Sequence, residues 1–202
     1  MCVVGHVEWV EFIPVERFPE PGEVVHAAAS FRRAAGGGGV VAAVLASLGA
    51  EVDFFCALGR DDAGEAALVE LRKRGVRMHV AWRPSAPTRR AVTLLEPSGE
   101  RTIVTIGERL QPLGSDALGW ERLRGADGVY FTAGDESALS RAREARVVVA
   151  SPRGRAALDG EGGVVVDALV YSERDVHERE WASRVASRAR LLVKTRGPGG
   201  GR

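Results

Sequence analysis

Apolar and polar positions change their period twice along this chain. Met1–Val10 and Val24–Arg33 read as extended segments, separated by the punctuation Pro19-Glu20-Pro21-Gly22. Gly36–Gly39 then lead into Val40–Leu48, whose one polar residue is Ser47 and which stops at Gly49. A run apolar on all sides predicts a buried helix. Glu51–Leu58 predicts a strand, and Gly59-Arg60-Asp61-Asp62 turns into an amphipathic helix. Ala63, Ala67, Leu68 and Leu71 share its apolar face, and Gly75 stands past its end as a C-cap. Val76–Trp82 is a further strand.

Two alternating, β-branched runs follow, Ala91–Glu96 and Arg101–Gly107. They are joined by Pro97-Ser98-Gly99-Glu100, which predicts a hairpin. Beyond it, helix and strand alternate: Ser115–Arg124, Gly128–Thr132, Ser137–Ala145, Val147–Ala150, Arg153–Leu158, Gly163–Tyr171, Glu173–Arg190 and Leu191–Thr195. The runs Val147–Val149 and Val164–Val166 are continuously apolar, as expected of strands covered by helices on both faces. The pattern predicts an α/β fold of three layers around a mostly parallel sheet. The hairpin and the N-terminal extended segments do not fit those layers and predict a small second sheet.

Composition narrows the function. Lys+Arg is 28 and Asp+Glu 27, a net charge of +1, so no bulk field favours nucleic acid or an acidic membrane. Only Lys73 and Lys194 are lysines and no Asn occurs. Neither Lys stands at the Walker spacing, so that type of phosphate loop is excluded. The skew itself reads as codon bias. Cys2 and Cys56 cannot form a disulfide framework, and no basic-then-apolar leader is visible, so a cytoplasmic location is expected. The longest uncharged stretch, Ala34–Ala50, holds five glycines and is too weakly apolar to span a membrane. His6, His26, His79 and His177 are scattered, and Trp181 stands where a zinc helix starting at His177 needs its second His, so no metal site is expected.

Three segments can carry chemistry. Ala35–Gly39 runs straight into an apolar helix, where consecutive glycines let backbone N–H groups approach a hydroxyl-rich or anionic ligand. Gly37, Gly39 and Ala42 also match G-x-G-x-x-A, with Asp61 or Asp62 at the distance of a ribose-binding acid. That dinucleotide reading competes with a simple helix cap at Asp61-Asp62. The tail, Leu191–Arg202, is an apolar strand running into Thr195 and repeated Gly; it reads either as a nucleotide cradle or as a frayed end. Arg89-Arg90 and Arg122/Arg124 read as solvated faces.

Taken in order, these pieces resemble the ribokinase-like (PfkB) family of sugar and nucleoside kinases. Val3-Val4-Gly5-His6 resembles its opening strand, and Phe18–Glu23 its P-x-x-G-E segment. Ala35–Gly39 with Leu48-Gly49-Ala50 resembles its first signature, and Leu58–Glu65 its G-x-D-x-x-G-E position. Thr88–Gly107 is similar to its second lid hairpin, and Lys194–Gly200 to its T-x-G-x-x-G turn. The resemblance implies a single ribokinase-like sandwich domain over 1–202, with a small β-sheet lid from about 8–34 and 88–107. It implies transfer of the ATP γ-phosphoryl group to a sugar or nucleoside hydroxyl, with magnesium on the phosphates. Glu8, Gly36, Gly37 and Gly38 fall at its substrate side, and Ser172, Asp175, Thr195, Gly197 and Gly200 at its nucleotide side. A homodimer through the lid is implied as well.

The departures from the family pattern carry expectations of their own. Val40 stands at the family's sugar-contacting Asn, and Glu8 and Val10 at its polar pair. Ser172-Glu173-Arg174-Asp175 stands at its N-x-x-E motif, Asp175 offering the carboxylate on a shorter arm. The G-A-G-D segment with the catalytic Asp does not occur in the sequence, and Asp127, Asp135 and Asp167 sit at element boundaries as expected of caps. The chain is therefore expected to be about two-thirds of the family domain, without the catalytic segment and inactive alone. A non-catalytic sugar- or nucleoside-binding relative is the competing reading. Leu191–Thr195 is expected at an unpaired edge beside uncovered apolar helix faces, which would promote self-association.

Overall fold

The longest wholly buried strand forms the centre of the fold. In the computed structural model, which describes residues 1–201, all eight residues of β4 (Val52–Gly59) are buried. β4 sits in a seven-stranded, wholly parallel sheet with β1 (Cys2–Val4), β5 (Val76–Arg83), β8 (Val129–Phe131), β9 (Val148–Ala150), β10 (Val166–Ser172) and β11 (Ala189–Thr195). The strand order is β11-β10-β9-β8-β1-β4-β5. A second sheet, ordered β3-β2-β6-β7, is built from β2 (Glu8–Pro14), β3 (Phe31–Ala35), β6 (Arg90–Leu95) and β7 (Arg101–Ile106). The hairpin forms as its alternation predicts, β6 against β7, and β2 joins β6 in parallel. This is the α/β arrangement with a small second sheet that the sequence predicts.

Side chains of β4 alternate between two cores. Phe54, Cys56 and Leu58 pack with Val3 and with Ala67, Leu68 and Leu71 of α2 (Asp62–Lys73). Phe55 and Ala57 face the opposite side, with Val4, Trp120, Phe131, and Leu139 of α3 (Glu136–Ala142). Asp61 caps α2 by accepting the Gly64 N–H at 2.8 Å, acidic residues lie in its first turn and basic ones in its last, and Gly75 ends it at φ +83°.

Four expectations are corrected. Gly36–Gly39 is not a loop before a helix; it is the first turn of α1 (Gly36–Ser47), with Gly36 at φ +77°. Nor is α1 buried all round: Gly38, Gly39 and Ala42 face the core, whereas Val40, Val44 and Leu48 form an exposed stripe. Residues 115–119 form turns and only Trp120–Gly125 coils, as a 3-10 helix, because Gly119 is left-handed (φ +69°). The helix expected over Glu173–Arg190 is α5 (Val176–Arg184), begun by the Asp175 cap and followed by a 3-10 turn.

Double coverage also fails on one side of the sheet. α1 and α2 cover β1, β4 and β5, and no described helix covers the same face of β9, β10 and β11. Val149, Ala168 and Val170 are left half-buried there, and Leu191, on the edge strand, is 58% exposed. On the other face, α5 and the short α4 (Arg155–Leu158) pack under the same strands through Trp181, Ala182 and Leu158. Open α/β sheets form their crevices at the carboxyl ends of the parallel strands, and the residues that follow β1, β8 and β9 gather at that end.

Candidate functional site

The site is organised by the two residues that follow β1. Gly5 and His6 leave the sheet toward the lid, and Glu8 opens β2. A helix N-terminus leaves amide donors without partners, and His6 takes three of them. Its Nε2 accepts the Gly37 N–H at 3.2 Å, and its carbonyl accepts those of Gly38 at 3.0 Å and Gly39 at 3.3 Å. The expectation that these amides stand open toward a ligand is corrected accordingly. What the glycines supply is closeness. A Cβ on Gly37 would lie 2.7 Å from Thr132 Oγ1, 3.0 Å from Arg153 Cδ and 3.1 Å from His6 Cε1.

Three polar side chains meet here almost wholly out of water, His6 (4% exposed), Thr132 and Ser151. Thr132 and Ser151 follow directly on β8 and β9, which pair in parallel, so the topology sets them side by side. Because Nε2 of His6 accepts a hydrogen bond, the proton of the neutral ring lies on Nδ1. That Nδ1 and the hydroxyls of Thr132 and Ser151 are buried without a hydrogen-bond partner. Burial, with the nearby Arg109, Arg153 and Arg89, pushes the His6 pKa down to about 3, so the ring is uncharged at neutral pH. Its 3.5 Å approach to Glu8 Oε1 is therefore a contact and not an ion pair.

Glu8 is buried at the rim of the same group, and burial raises its carboxyl above the ordinary 4.5 against the pull of Arg89, Arg109 and Arg153. Arg89 Nε lies 3.4 Å from Glu8 Oε1, so Arg89 is not part of a solvated face. Burial and the neighbouring Arg89, Arg155 and Arg153 all lower the Arg109 pKa, with Glu8 acting the other way. Arg109, Arg153 and Arg155 continue into an open cavity of about 580 Å³, whose far wall includes Asp175, His177 and Glu178.

The remaining expected residues lie on that far side. Ser172 ends β10 opposite Thr195 at the end of β11. The Ser172 hydroxyl accepts the Asp175 N–H at 3.3 Å, and Asp175 Oδ1 accepts the Glu178 N–H at 3.1 Å as the cap of α5. Thr195 Oγ1 donates to the Tyr171 carbonyl at 3.2 Å. Gly197 and Gly200 are left-handed in a turn closed by the Arg196 N–H on the Gly200 carbonyl at 2.7 Å, so the tail folds back along its own strand. Three strand spacings separate β1 from β10, about 14 Å, so the glycine group and Asp175 occupy opposite sides of one crevice. Asp135 caps α3 and also accepts the Gly114 N–H, and Asp167 is held by Arg143, Arg190 and the Val148 N–H. Asp127 is paired on the surface with Arg146.

The competing dinucleotide reading is overturned by two of these placements. β3, which precedes the glycines, pairs antiparallel with β2 in the lid and is no part of the parallel sheet. Asp61 spends one oxygen on Gly64 and the other on the Thr88 N–H at 2.7 Å.

Comparison with known proteins agrees with this geometry. Residues 1–152, three quarters of the chain, match the pfkB family carbohydrate kinases. The chain belongs to the PfkB family. No curated protein matches it. Among solved structures, ribokinase from Giardia lamblia is 19% identical with a TM-score of 0.77, covering 100% of this chain and 70% of that one. A microbiome-derived acarbose kinase is 20% identical with a TM-score of 0.76, covering 100% and 71%. Arabidopsis thaliana ribokinase, complexed with ribose and ATP, is 20% identical with a TM-score of 0.68, covering 99% and 72%.

Signals for the residues that sequence reading missed are of two kinds. Thr132 and Ser151 each follow an apolar strand triplet, the position from which parallel sheets address ligands. Arg89 and Arg109 bracket the β6–β7 hairpin of the second sheet. Arg153 and Arg155 carry no signal in a chain whose positive charge is nearly all arginine.

Proposed function

We propose that this PfkB chain binds a sugar or nucleoside between the α1 glycines and the lid, as the acceptor for the γ-phosphoryl group of ATP. The observation that carries the reading is the group around Gly37. Two buried hydroxyls, Thr132 and Ser151, and the His6 Nδ1–H stand there without partners among the described residues, beneath a sheet that starts at Glu8. Buried polar groups are seldom left unpaired, and a polyhydroxylated ligand supplies both donors and acceptors. Gly36, Gly37 and Gly38 keep the floor low enough for it, and Glu8 accepts a ligand hydroxyl at the rim.

The nucleotide side is assigned to Ser172, Asp175, Thr195, Gly197 and Gly200, across the cavity. The donor set there fits a magnesium nucleotide: Asp175 offers one carboxylate, and Arg153 and Arg155 line the space beside it. Among the described residues no group of three or more His, Cys, Asp or Glu could hold a metal by itself. Magnesium would then rest mainly on the phosphates, with Asp175 as its one protein carboxylate, and would neutralise charge on them. Arabidopsis ribokinase, with ribose and ATP bound, supports the pairing of ligands.

Transfer needs a base for the acceptor hydroxyl and donors for the moving phosphoryl group. The family places both in a G-A-G-D segment that residues 1–202 do not contain. Residues 1–202 by themselves therefore bind and do not turn over. In a thermal-shift panel of sugars and nucleosides, with and without Mg-ATP, at least one acceptor should raise Tm. The shift should vanish in Glu8→Ala, and ATP hydrolysis should stay at background. A panel with no shift at all, or one unchanged in Glu8→Ala, would sink the reading. We also propose a homodimer formed through the lid.

A further inference from the structure

We propose that the acceptor is an anionic sugar, one carrying a carboxylate or phosphate, recognised by Arg89, Arg109 and Arg153. This rests on the sugar-site reading above and adds the charge class of the ligand. A site for neutral hydroxyls needs paired donors and acceptors. This one is heavily weighted toward donors. Arg89 pairs with Glu8, the stem of Arg153 lies against Gly37, and Arg109 and Arg153 line the adjoining cavity, where the carboxylates Asp175, Glu178 and Glu180 form no salt bridge with either arginine among the described residues.

The surroundings do not neutralise the arginines. Arg89 Nε is buried and makes no hydrogen bond, and Glu8 at 3.4 Å is its one ion-pair partner among the described residues. Arg109 and Arg153 enter no salt bridge among those residues. Burial, and then repulsion from Arg89, Arg155 and Arg153, lowers the Arg109 pKa against the pull of Glu8. Charges gathered this way cost stability unless an anion joins them. Around them stand three buried groups that can donate, the His6 Nδ1–H and the hydroxyls of Thr132 and Ser151. The neutral His6 is informative here, because its one proton is already placed on the nitrogen without a partner.

Arg89 stands on the sugar side beside Glu8, and Arg109 and Arg153 stand between that side and the cavity leading to Asp175. Arg89 and Arg109 leave the two ends of the lid hairpin, and the stem of Arg153 lies against Gly37. Lid closure over an acceptor therefore carries two of the three cations with it. Bidentate guanidinium contacts suit the planar carboxylate and the phosphate equally, so the two sources are separated by experiment.

The test is isothermal titration calorimetry of the full chain with D-fructose, D-fructose 6-phosphate, D-gluconate, inorganic phosphate and ATP. One of the two sugar anions should bind about tenfold or more tightly than fructose. Fructose 6-phosphate alone showing this assigns a phosphate, and gluconate alone a carboxylate. Arg109→Gln should bring the anion to the level of fructose, and Arg153→Gln serves if that variant fails to fold by circular dichroism. Glu8→Gln should tighten the anion, since it removes the opposing charge. Equal binding of fructose and the anions, unchanged in the arginine variants, overturns the proposal and leaves the sugar site standing. Inorganic phosphate binding as tightly as fructose 6-phosphate overturns it as well. So does an arginine effect confined to ATP. If no sugar binds to the folded chain, the site reading and the proposal fall together.

Discussion

Nε2 of His6 accepts the amide N–H of Gly37 at 3.2 Å, joining the loop after β1 to the first turn of α1. The bond requires an unprotonated Nε2, and burial among arginines holds the ring in that state down to about pH 3. The unfolded ring titrates near 6.5. Between these values the unfolded chain binds the additional proton, so stability is full at neutral pH and falls as pH falls. One proton gives a slope approaching about 1.4 kcal/mol per pH unit. Glu8, raised above 4.5, opposes this at the acid end, because the folded chain takes up its proton first. Urea denaturation between pH 6.5 and 5 should show the fall in wild type and a flatter profile in His6→Gln, whose amide oxygen can still accept from Gly37. Equal slopes would refute the assignment.

Gly37 and Gly38 should separate binding from folding. A Cβ on Gly38 would stand 2.7 Å from the ring of fully buried Phe54 and 2.9 Å from the His6 carbonyl. Overpacking of that kind costs about 1–3 kcal/mol, against about 1 kcal/mol that Ala returns in a helix. Gly38→Ala should lower Tm. At Gly37 a Cβ meets side chains alone, Thr132 Oγ1 at 2.7 Å, Arg153 Cδ at 3.0 Å and His6 Cε1 at 3.1 Å, with no backbone atom among them, so Gly37→Ala should lower Tm less than Gly38→Ala while its methyl occupies the ligand floor. Calorimetry with whichever acceptor binds wild type should show at least about tenfold weaker affinity for Gly37→Ala. An unaffected affinity would place the ligand elsewhere.

Asp61 ties α2 to the root of the lid. Its oxygens accept the N–H groups of Gly64 and Thr88, and the Thr88 hydroxyl accepts the Gly59 N–H at 3.0 Å. Burial pushes this carboxyl up, but the bonds from Thr88 and Gly64 outweigh it and hold the pKa below 3.8. Asp61→Ala removes a cap and orphans the buried Thr88 N–H, together about 2–4 kcal/mol in urea denaturation. Asp61→Asn keeps one acceptor and should fall between the two. A loss under 1 kcal/mol for Asp61→Ala, on the same scale, would show that the Thr88 contact contributes nothing.

The contrast between α1 and α2 explains what was legible beforehand. α2 carries its own evidence: the Asp61 cap, the Ala67-Leu68-Leu71 face and Gly75 all agree with its tertiary setting. α1 is apolar throughout, so its pattern cannot say which side is covered, and the Val40-Val44-Leu48 stripe was invisible as such. Most strands and the lid hairpin were legible because period two and turn chemistry are local, but the extended segment read over Val24–Arg33 was not: it pairs only at its end, in β3 (Phe31–Ala35), and residues 24–30 are irregular. The site was only half legible. Gly36–Gly38 and Glu8 stand out in sequence, but the charge of the pocket comes from Arg89 and Arg109, at the two ends of one hairpin, and from Arg153, which the topology brings in from the turn after β9. One arginine among so many has no local mark.

That stripe gives a stability test of its own. Ala42 is fully buried on the inner side of α1, whereas Val44, two residues on, is 50% exposed. Ala42→Leu should overpack the core and cost about 1–3 kcal/mol. Val44→Gln should stay within about 0.5 kcal/mol and reduce any aggregation seen by light scattering. Comparable losses in thermal melts of the two variants would mean that α1 is covered on both sides in solution.

The lid offers the last test, because β7 is both an edge and bare. All six of its residues are exposed, including Ile103, Val104 and Ile106, and among the described residues no strand neighbours its outer N–H and C=O groups. Isolated soluble chains blunt such edges with charge or proline, and Ile103–Ile106 has neither. A second copy of the lid would cover the apolar residues and extend the sheet. Sedimentation velocity of the wild-type chain should therefore show a dimer. Val104→Lys should shift it toward monomer while leaving Tm nearly unchanged, since an exposed residue contributes little to the fold. Because β6 and β7 lie between Arg89 and Arg109, the same substitution should also weaken ligand binding if pairing of the lids steadies the arginines. A wild-type monomer, or a dimer indifferent to Val104→Lys, would remove the lid from the interface.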